Sequence, residues 1–262
     1  MMAASDQEAS VVLALEAGSE FGSVAVEVDG ELAAVLVANE RRRQAADLVP
    51  MIRTVLARAG VRVQDLSEIV VGKGPGSFTG VRIGIATARG LSMGSGCPVR
   101  PLSSILAAGT GTGTHLPNAV LQAMPAGGPT PDKVEAPAPD RPRLVLLDAR
   151  GNRLWMGCVA TRAGRVEVLL EPRAALVEDL AALDLPEEVV ACGGGALRHA
   201  DVLRRLGLDV APWPEGLPSA PGLLALRRGL PKGPLQPPGS RWSPDYLRPS
   251  QPEREALRPE AS

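Results

Sequence analysis

A two-lobed α/β chain, each lobe a mixed sheet flanked by helices, is the fold class this sequence predicts. Three observations predict it. The order of apolar segments repeats once along the 262 residues. A glycine-rich loop joins a strand to a helix in each half, at Gly72–Gly80 and at Gly193-Gly194-Gly195. Hydrophobic residues make up 45% but aromatic ones only 2%, so the core has to be built from Val, Leu, Ile and Ala. At about 100–200 residues per domain, the length accommodates two small lobes.

The elements follow in order. Val11–Leu15 is a short apolar strand, and Phe21–Val28 and Glu31–Val37 alternate around Asp29-Gly30, a hairpin signal. From Gln44 to Ala59 the residues Ala45, Leu48, Val49, Ile52, Val55 and Leu56 recur at helical spacing, and Gly60 suits the stop. Glu68–Val71 is a strand, Gly72–Gly80 a loop and Val81–Met93 a helix. The second half starts with the strand Leu144–Leu147, which ends at Asp148. Leu154–Thr161 and Val166–Leu170 are strands, Ala174–Leu183 a helix, Glu188–Ala191 a strand and Ala196–Leu206 a helix. Both halves thus read strand, strand, strand, helix, strand, glycine loop, helix. Two such lobes side by side make the actin-like and sugar-kinase-like architecture, in which nucleotides bind in the cleft.

Between Gly109 and Pro142 there are five Gly and seven Pro in 34 residues, with few large apolar side chains. Such a stretch cannot bury enough apolar area to offset its ordering entropy. The expected organisation is a first lobe over residues 10–108, a flexible insertion over 109–142, a second lobe over 143–230 and an extended Pro-rich tail over 231–262.

Composition excludes several function classes. With 28 Lys+Arg against 29 Asp+Glu, the net charge is -1, without the cationic surplus that gripping nucleic acid alone requires. No apolar run approaches the roughly 18 residues that span a bilayer, and the start MMAASDQEAS has no secretory character. Cys97, Cys158 and Cys192 are scattered and odd in number, which suits a reducing cytoplasm. His115 and His199 are the only histidines, too few for a His-rich zinc site.

The stretch richest in chemistry is VVGKGPGSFTGVRIGIATARG, from Val70 to Gly90. Backbone N–H groups at a tight turn before a helix attract anions, and Lys73 and Arg82 add positive charge. Ser77 or Thr79 can cap the helix, while Gly74 and Gly76 shape the loop. The pattern is neither a Walker A loop nor a dinucleotide fingerprint. An anion-facing loop and a structural turn both fit it.

Glu16 and Asp148 end the first strand of each half. Kinases and ATPases of this architecture need an Asp there to hold magnesium, and the longer Glu16 reads instead as a solvated turn carboxylate. His199 reads as a helix-surface residue and Cys192 as a buried small hydrophobe. Arg41-Arg42-Arg43 reads as a solvated face, or a contact to RNA or a partner.

The segment Glu68–Leu91, and GKGPGSFTGVRIGIATARGL within it, closely resembles the signature of the TsaB (YeaZ) family, relatives of the TsaD/Kae1 proteins. Further likeness lies in VVLALEAGSEFGSVAV, QAADLVPMIRTVLARAG, PLSSILA, LVLLDARGNRLWMGCV and the terminal SPDYLR, with Pro244, Tyr246, Leu247 and Arg248. Two positions depart from the family pattern. Glu16-Ala17-Gly18 stands where Asp-Thr-Ser is usual, and Gln44-Ala45-Ala46 where His-Ser-Glu often occurs.

The resemblance implies a duplicated ASKHA (actin-like ATPase, RNase H-like) fold without catalytic activity of its own, an inactive relative of the M22 peptidases. It implies pairing with TsaD, joined by TsaE, in transferring threonylcarbamoyl from threonylcarbamoyl-AMP to N6 of the adenosine next to the tRNA anticodon. ATP and metal are then expected on the partner subunits, no cofactor on this chain, and tRNA is met through the complex. Association, including a possible homodimer, is implied to use the two helices of the first lobe. Here Leu48, Ile52, Val55, Val81, Ile85, Ala88 and Arg89 are the candidate interface residues, and small residues such as Gly84 and Gly90 would allow close approach. The competing expectation is an ATP-dependent phosphotransferase of the same architecture.

Overall fold

The structure, a computed structural model, describes residues 9–38, 44–110 and 140–245. It contains two five-stranded mixed sheets. In the first lobe the elements are β1 (Val11–Glu16), β2 (Ser23–Val28), β3 (Glu31–Val37), α1 (Gln44–Ala59), β4 (Glu68–Gly72), α2 (Phe78–Ser95), β5 (Val99–Leu102) and α3 (Ser104–Thr110). In the second they are β6 (Arg143–Asp148), β7 (Arg153–Arg162), β8 (Arg165–Leu176), β9 (Val190–Cys192), α4 (Gly194–Arg198), α5 (Ala200–Arg205), β10 (Asp209–Val210) and α6 (Ala220–Gly229).

The sheet orders are β3-β2-β1-β4-β5 and β8-β7-β6-β9-β10, the same order from the same connectivity. In each, the first three strands are antiparallel and the last two join in parallel. The duplicated ASKHA fold expected from the repeat is therefore present.

Local chemistry explains the elements. Asp29 and Gly30 take φ of +50° and +86°, as a two-residue hairpin turn between right-twisted strands requires, and Ala163 and Gly164 repeat this in the second lobe at +48° and +75°. Strand β1 is a continuous apolar run because both of its faces are covered. Val11, Leu13 and Leu15 face α1 and α2, while Val12 and Ala14 face the other lobe.

The last helix of each lobe packs on the sheet of the other. Helix α3 lies against β6 and β7, and α6 against β1, β2 and β4. Their meeting forms the central core, where Ile105 and Ala108 of α3 join Leu223 and Leu226 of α6. At its end α6 carries Arg227 and Arg228, which pair with the buried Glu27 and Glu68 of the first sheet, and Arg100 also pairs with Glu68.

Three expectations need correction. Residues 174–183 are not a helix: β8 runs on to Leu176, where it pairs with Arg153 of β7, and only a 3-10 turn, Val177–Ala182, follows. The helix expected after Gly195 is two short helices separated by His199, which is half-buried between them. Gly109 and Thr110, expected to open a flexible insertion, are the last residues of α3, and Thr110 hydrogen-bonds the Gly222 carbonyl of α6. The rest of that insertion, with His115, lies outside the described residues, as do Arg41-Arg42-Arg43 and Tyr246, Leu247 and Arg248.

Up to Asp245, the Pro-rich tail is a strap lying back across the first lobe. Gln236 exchanges backbone hydrogen bonds with Val99 of β5, and the Gly233 carbonyl accepts from the Arg100 side chain. Trp242 packs against the first-lobe core.

Candidate functional site

The glycine-rich loop between β4 and α2 is folded onto the chain's own backbone. The amide of Lys73 donates to the Leu102 carbonyl, that of Ser77 to the Gly18 carbonyl at 2.7 Å, and that of Gly74 to the Ser104 hydroxyl. Ser77 caps α2, its hydroxyl accepting from the Gly80 amide at 3.3 Å. A Cβ at Gly76 would meet the Gly18 carbonyl, and one at Gly80 would overlap the Ala17 carbonyl oxygen. The glycines are thus explained by close approach to the β1–β2 turn. The expected row of anion-facing amides through Lys73, Gly74, Gly76 and Ser77 is corrected at Lys73, Gly74 and Ser77, whose donors are spent inside the fold, while Gly76 is set by its close approach to Gly18.

The two cations have different partners. Lys73 forms a 2.9 Å ion pair with Asp245 of the strap, whose amide also donates to the Lys73 carbonyl. Arg82 lies with its guanidinium 3.8 Å from the Phe78 ring centre, and Thr79 is exposed at the start of the helix.

Glu16 differs from its expected role as a solvated carboxylate. It is fully buried, accepts from the Gly18 amide at 2.6 Å and from the Ser104 hydroxyl at 2.7 Å, and burial pushes its pKa up while these hydrogen bonds oppose the shift. Its counterpart Asp148 is at the surface, capping the Arg150 amide and pairing with Arg198 at 2.6 Å. Between the lobes, the ring of Phe21 packs on Trp213 at 6.4 Å, with Leu217 against them. Nearby, Arg143 pairs with Glu215, and both are buried. The three thiols are buried, and desolvation raises Cys192 to about 12.

The candidate interface residues also divide. Leu48, Ile52, Val55, Val81, Ile85 and Ala88 are buried in the first-lobe core, so the helical spacing that singles them out marks the inward faces of α1 and α2. Ala88 has no exposure at all. The outward face of α2 carries instead Phe78 (43% exposed), Arg82, Ala86, Gly90 and Met93 (70% exposed). Sequence reasoning missed Phe78, which lies before the start read for the helix, and Met93, which helical spacing from Ala88 already sets off the buried face.

Arg89, half-buried, is the candidate that reaches the outer surface. It donates to the Trp242 carbonyl at 2.7 Å and lies over that ring, 5.2 Å from its centre. Together α2 and the strap frame a groove of about 520 Å³ lined by Arg82, Ile85, Ala86, Arg89, Arg241 and Trp242, among others. Among the described residues no helix is long and apolar enough to cross a membrane.

Comparison with known proteins matches residues 37–125 to the family model described as TsaD, tRNA N6-adenosine threonylcarbamoyltransferase. The chain is similar to the tRNA threonylcarbamoyladenosine biosynthesis protein TsaB of Haemophilus influenzae, 39% identical over 98 residues, or 37% of this chain and 40% of that protein. The TsaB of Bacillus subtilis is 24% identical over 168 residues, covering 64% of this chain and 63% of that one. The chain thus spans between 40% and 63% of the length of these two curated relatives. Among solved structures, YeaZ from Pseudomonas aeruginosa superposes with a TM-score of 0.62 at 25% identity, over 83% of this chain and 90% of that one.

Proposed function

We propose, since the chain belongs to the TsaB (YeaZ) family, that it is a non-catalytic scaffold subunit in tRNA threonylcarbamoyladenosine formation. In this reading it pairs with TsaD, joined by TsaE, and activates threonylcarbamoyl transfer from threonylcarbamoyl-AMP to N6 of the adenosine next to the anticodon. ATP, metal and the reacting groups then reside on the partner subunits.

The observation that carries this reading is the outward face of α2. Phe78, Ala86 and Met93 form an exposed apolar stripe on a rigid 18-residue helix whose opposite face is anchored in the core. Such a stripe on a soluble protein marks an association surface, and aromatic, Met and Arg side chains are the types enriched there. The same stripe can serve self-pairing when the partner is absent.

Against the competing reading as a phosphotransferase stands Glu16, at the strand end where that chemistry needs a metal-holding carboxylate. Both of its oxygens are engaged by Gly18 and Ser104 in a fully buried site. Phe21 of the first lobe packs against Trp213 and Leu217 of the second.

The test is threonylcarbamoyl transfer to tRNA by the cognate TsaD and TsaE with this chain present or omitted. Dependence on the chain, with no transfer by the chain alone, is the expected result. Unchanged transfer on omission would overturn the reading.

A further inference from the structure

The strap is joined to the first lobe at two places of different character. Upstream, Gln236 and Val99 exchange backbone hydrogen bonds of 2.7 and 2.9 Å, which add the strap to the edge of the first sheet. A turn follows, in which the Ser240 amide donates to the Pro237 carbonyl and Gly239 takes φ of +79°. Downstream, Asp245 pairs with the Lys73 ammonium and donates its amide to the Lys73 carbonyl. Trp242 meets Arg89 there through both its carbonyl and its ring.

The downstream attachment is the weaker one. No residue from Pro231 to Asp245 is fully buried, whereas every residue of β4 is. The side chains of the Lys73–Asp245 pair are 31% and 39% exposed, so the pair is weak and open to screening by salt. Closure also leaves polar atoms unsatisfied. Among the described residues, the buried side-chain atoms without a hydrogen-bond partner include Arg89 Nε and Ser240 Oγ, both at this strap. Such atoms have lost water without gaining a partner, and they oppose the closed state.

From these observations we propose that residues 241–245 form a flap, hinged at the turn 237–240, that opens while both lobes remain folded. Its closure withholds Lys73 and Arg89. In the closed state the Lys73 charge is paired and Arg89 is held by Trp242. Opening releases both cations together, one on the glycine-rich loop and one on α2. Segments with few buried contacts and half-exposed bonds are those that open locally, ahead of the core.

The experiment uses the full chain at low and high salt, with thermal melting of each variant. Lys73 and Arg89 are labelled with amine- and guanidine-reactive reagents, and their rates are taken relative to the exposed Lys232 and Arg53. Tryptic cleavage after the exposed Arg241 is measured against a free peptide of each variant's own sequence. High salt should speed labelling of Lys73 and cleavage of the wild type. Asp245→Asn should raise both about two- to fivefold at low salt, remove most of the salt effect and leave the melting temperature in place. Trp242→Ala should raise Arg89 labelling and cleavage about tenfold or more. Wild-type cleavage as fast as that of the free peptide would mean that the strap is not held, and would overturn the flap. Cleavage that appears only through the global melting transition would overturn it too, by making the strap part of the core. Labelling of Lys73 and Arg89 unchanged in both variants would show that the strap withholds neither.

Discussion

The two lobes share a strand order yet treat their glycine loops differently. The first leads its loop into the 18-residue helix α2, whereas the second breaks the same stretch into helices of five and six residues at His199. The strand-end acids diverge as well, Glu16 being sealed inside and Asp148 paired with Arg198 at the surface. Duplication thus preserved the sheets while the loops and helices beyond them took separate paths. Among the described residues, the first lobe alone follows its glycine loop with a long helix, buried on one face and exposed on another.

The largest expected effect separates the two faces of α2. Ala88→Glu buries a charge in the first-lobe core and should unfold the chain or cost at least about 3 kcal/mol by chemical denaturation. Met93→Glu, on the exposed side, should leave the melting curve in place and weaken partner binding. An unfolded Met93→Glu, or a stable Ala88→Glu, would invert this assignment of faces.

A smaller effect distinguishes the two glycine loops. In Gly80→Ala the new methyl collides with the Ala17 carbonyl, and a loss of about 2–3 kcal/mol is expected. A Cβ at Gly194 has open space, so Gly194→Ala should be neutral or stabilising by up to about 1 kcal/mol. Equal losses at both sites would mean that the loops are equivalent after all.

The smallest effect concerns the two acids. The raised native pKa of Glu16 means that its contribution to stability is fully present below the ordinary carboxylate pKa and is lost as pH rises through the native value. Glu16→Gln should therefore flatten the dependence of stability on pH above the carboxylate range and raise the melting temperature at neutral pH. Asp148→Asn removes an exposed pair and should change stability by less than about 1 kcal/mol. A wild-type melting temperature that climbs steadily from pH 5 to 7 would contradict the assignment to Glu16.

Much of the fold was legible because local signals agreed with tertiary structure. Asp29-Gly30, the helical spacing ending at Gly60 and the serine cap at the glycine loop each specify geometry within a few residues. Residues 174–176 misled because Ala and Leu favour a helix, and only pairing with β7 holds them extended. Helix α6 went unread although Ser219 caps it and Pro221 sits in its first turn, a recognisable start signal. At the candidate site, periodicity found the apolar faces of α1 and α2 but could not say whether protein core or partner covers them. The Pro-rich stretch reads in the sequence as an extended tail, whereas up to Asp245 it is tied to the first lobe. Composition does not reveal that Trp242 and Asp245 return to Arg89 and Lys73, some 150 residues earlier in the chain.

The exchange of terminal helices has a consequence for motion and for dissection. Because α3 covers the second sheet and α6 the first, the lobes cannot swing apart about a hinge without baring the apolar faces of both. Any rotation of one lobe against the other has to preserve both of these helix–sheet contacts. Neither half should survive by itself: a chain cut between α3 and β6 would yield two fragments that are each insoluble alone, yet restore a folded molecule when mixed.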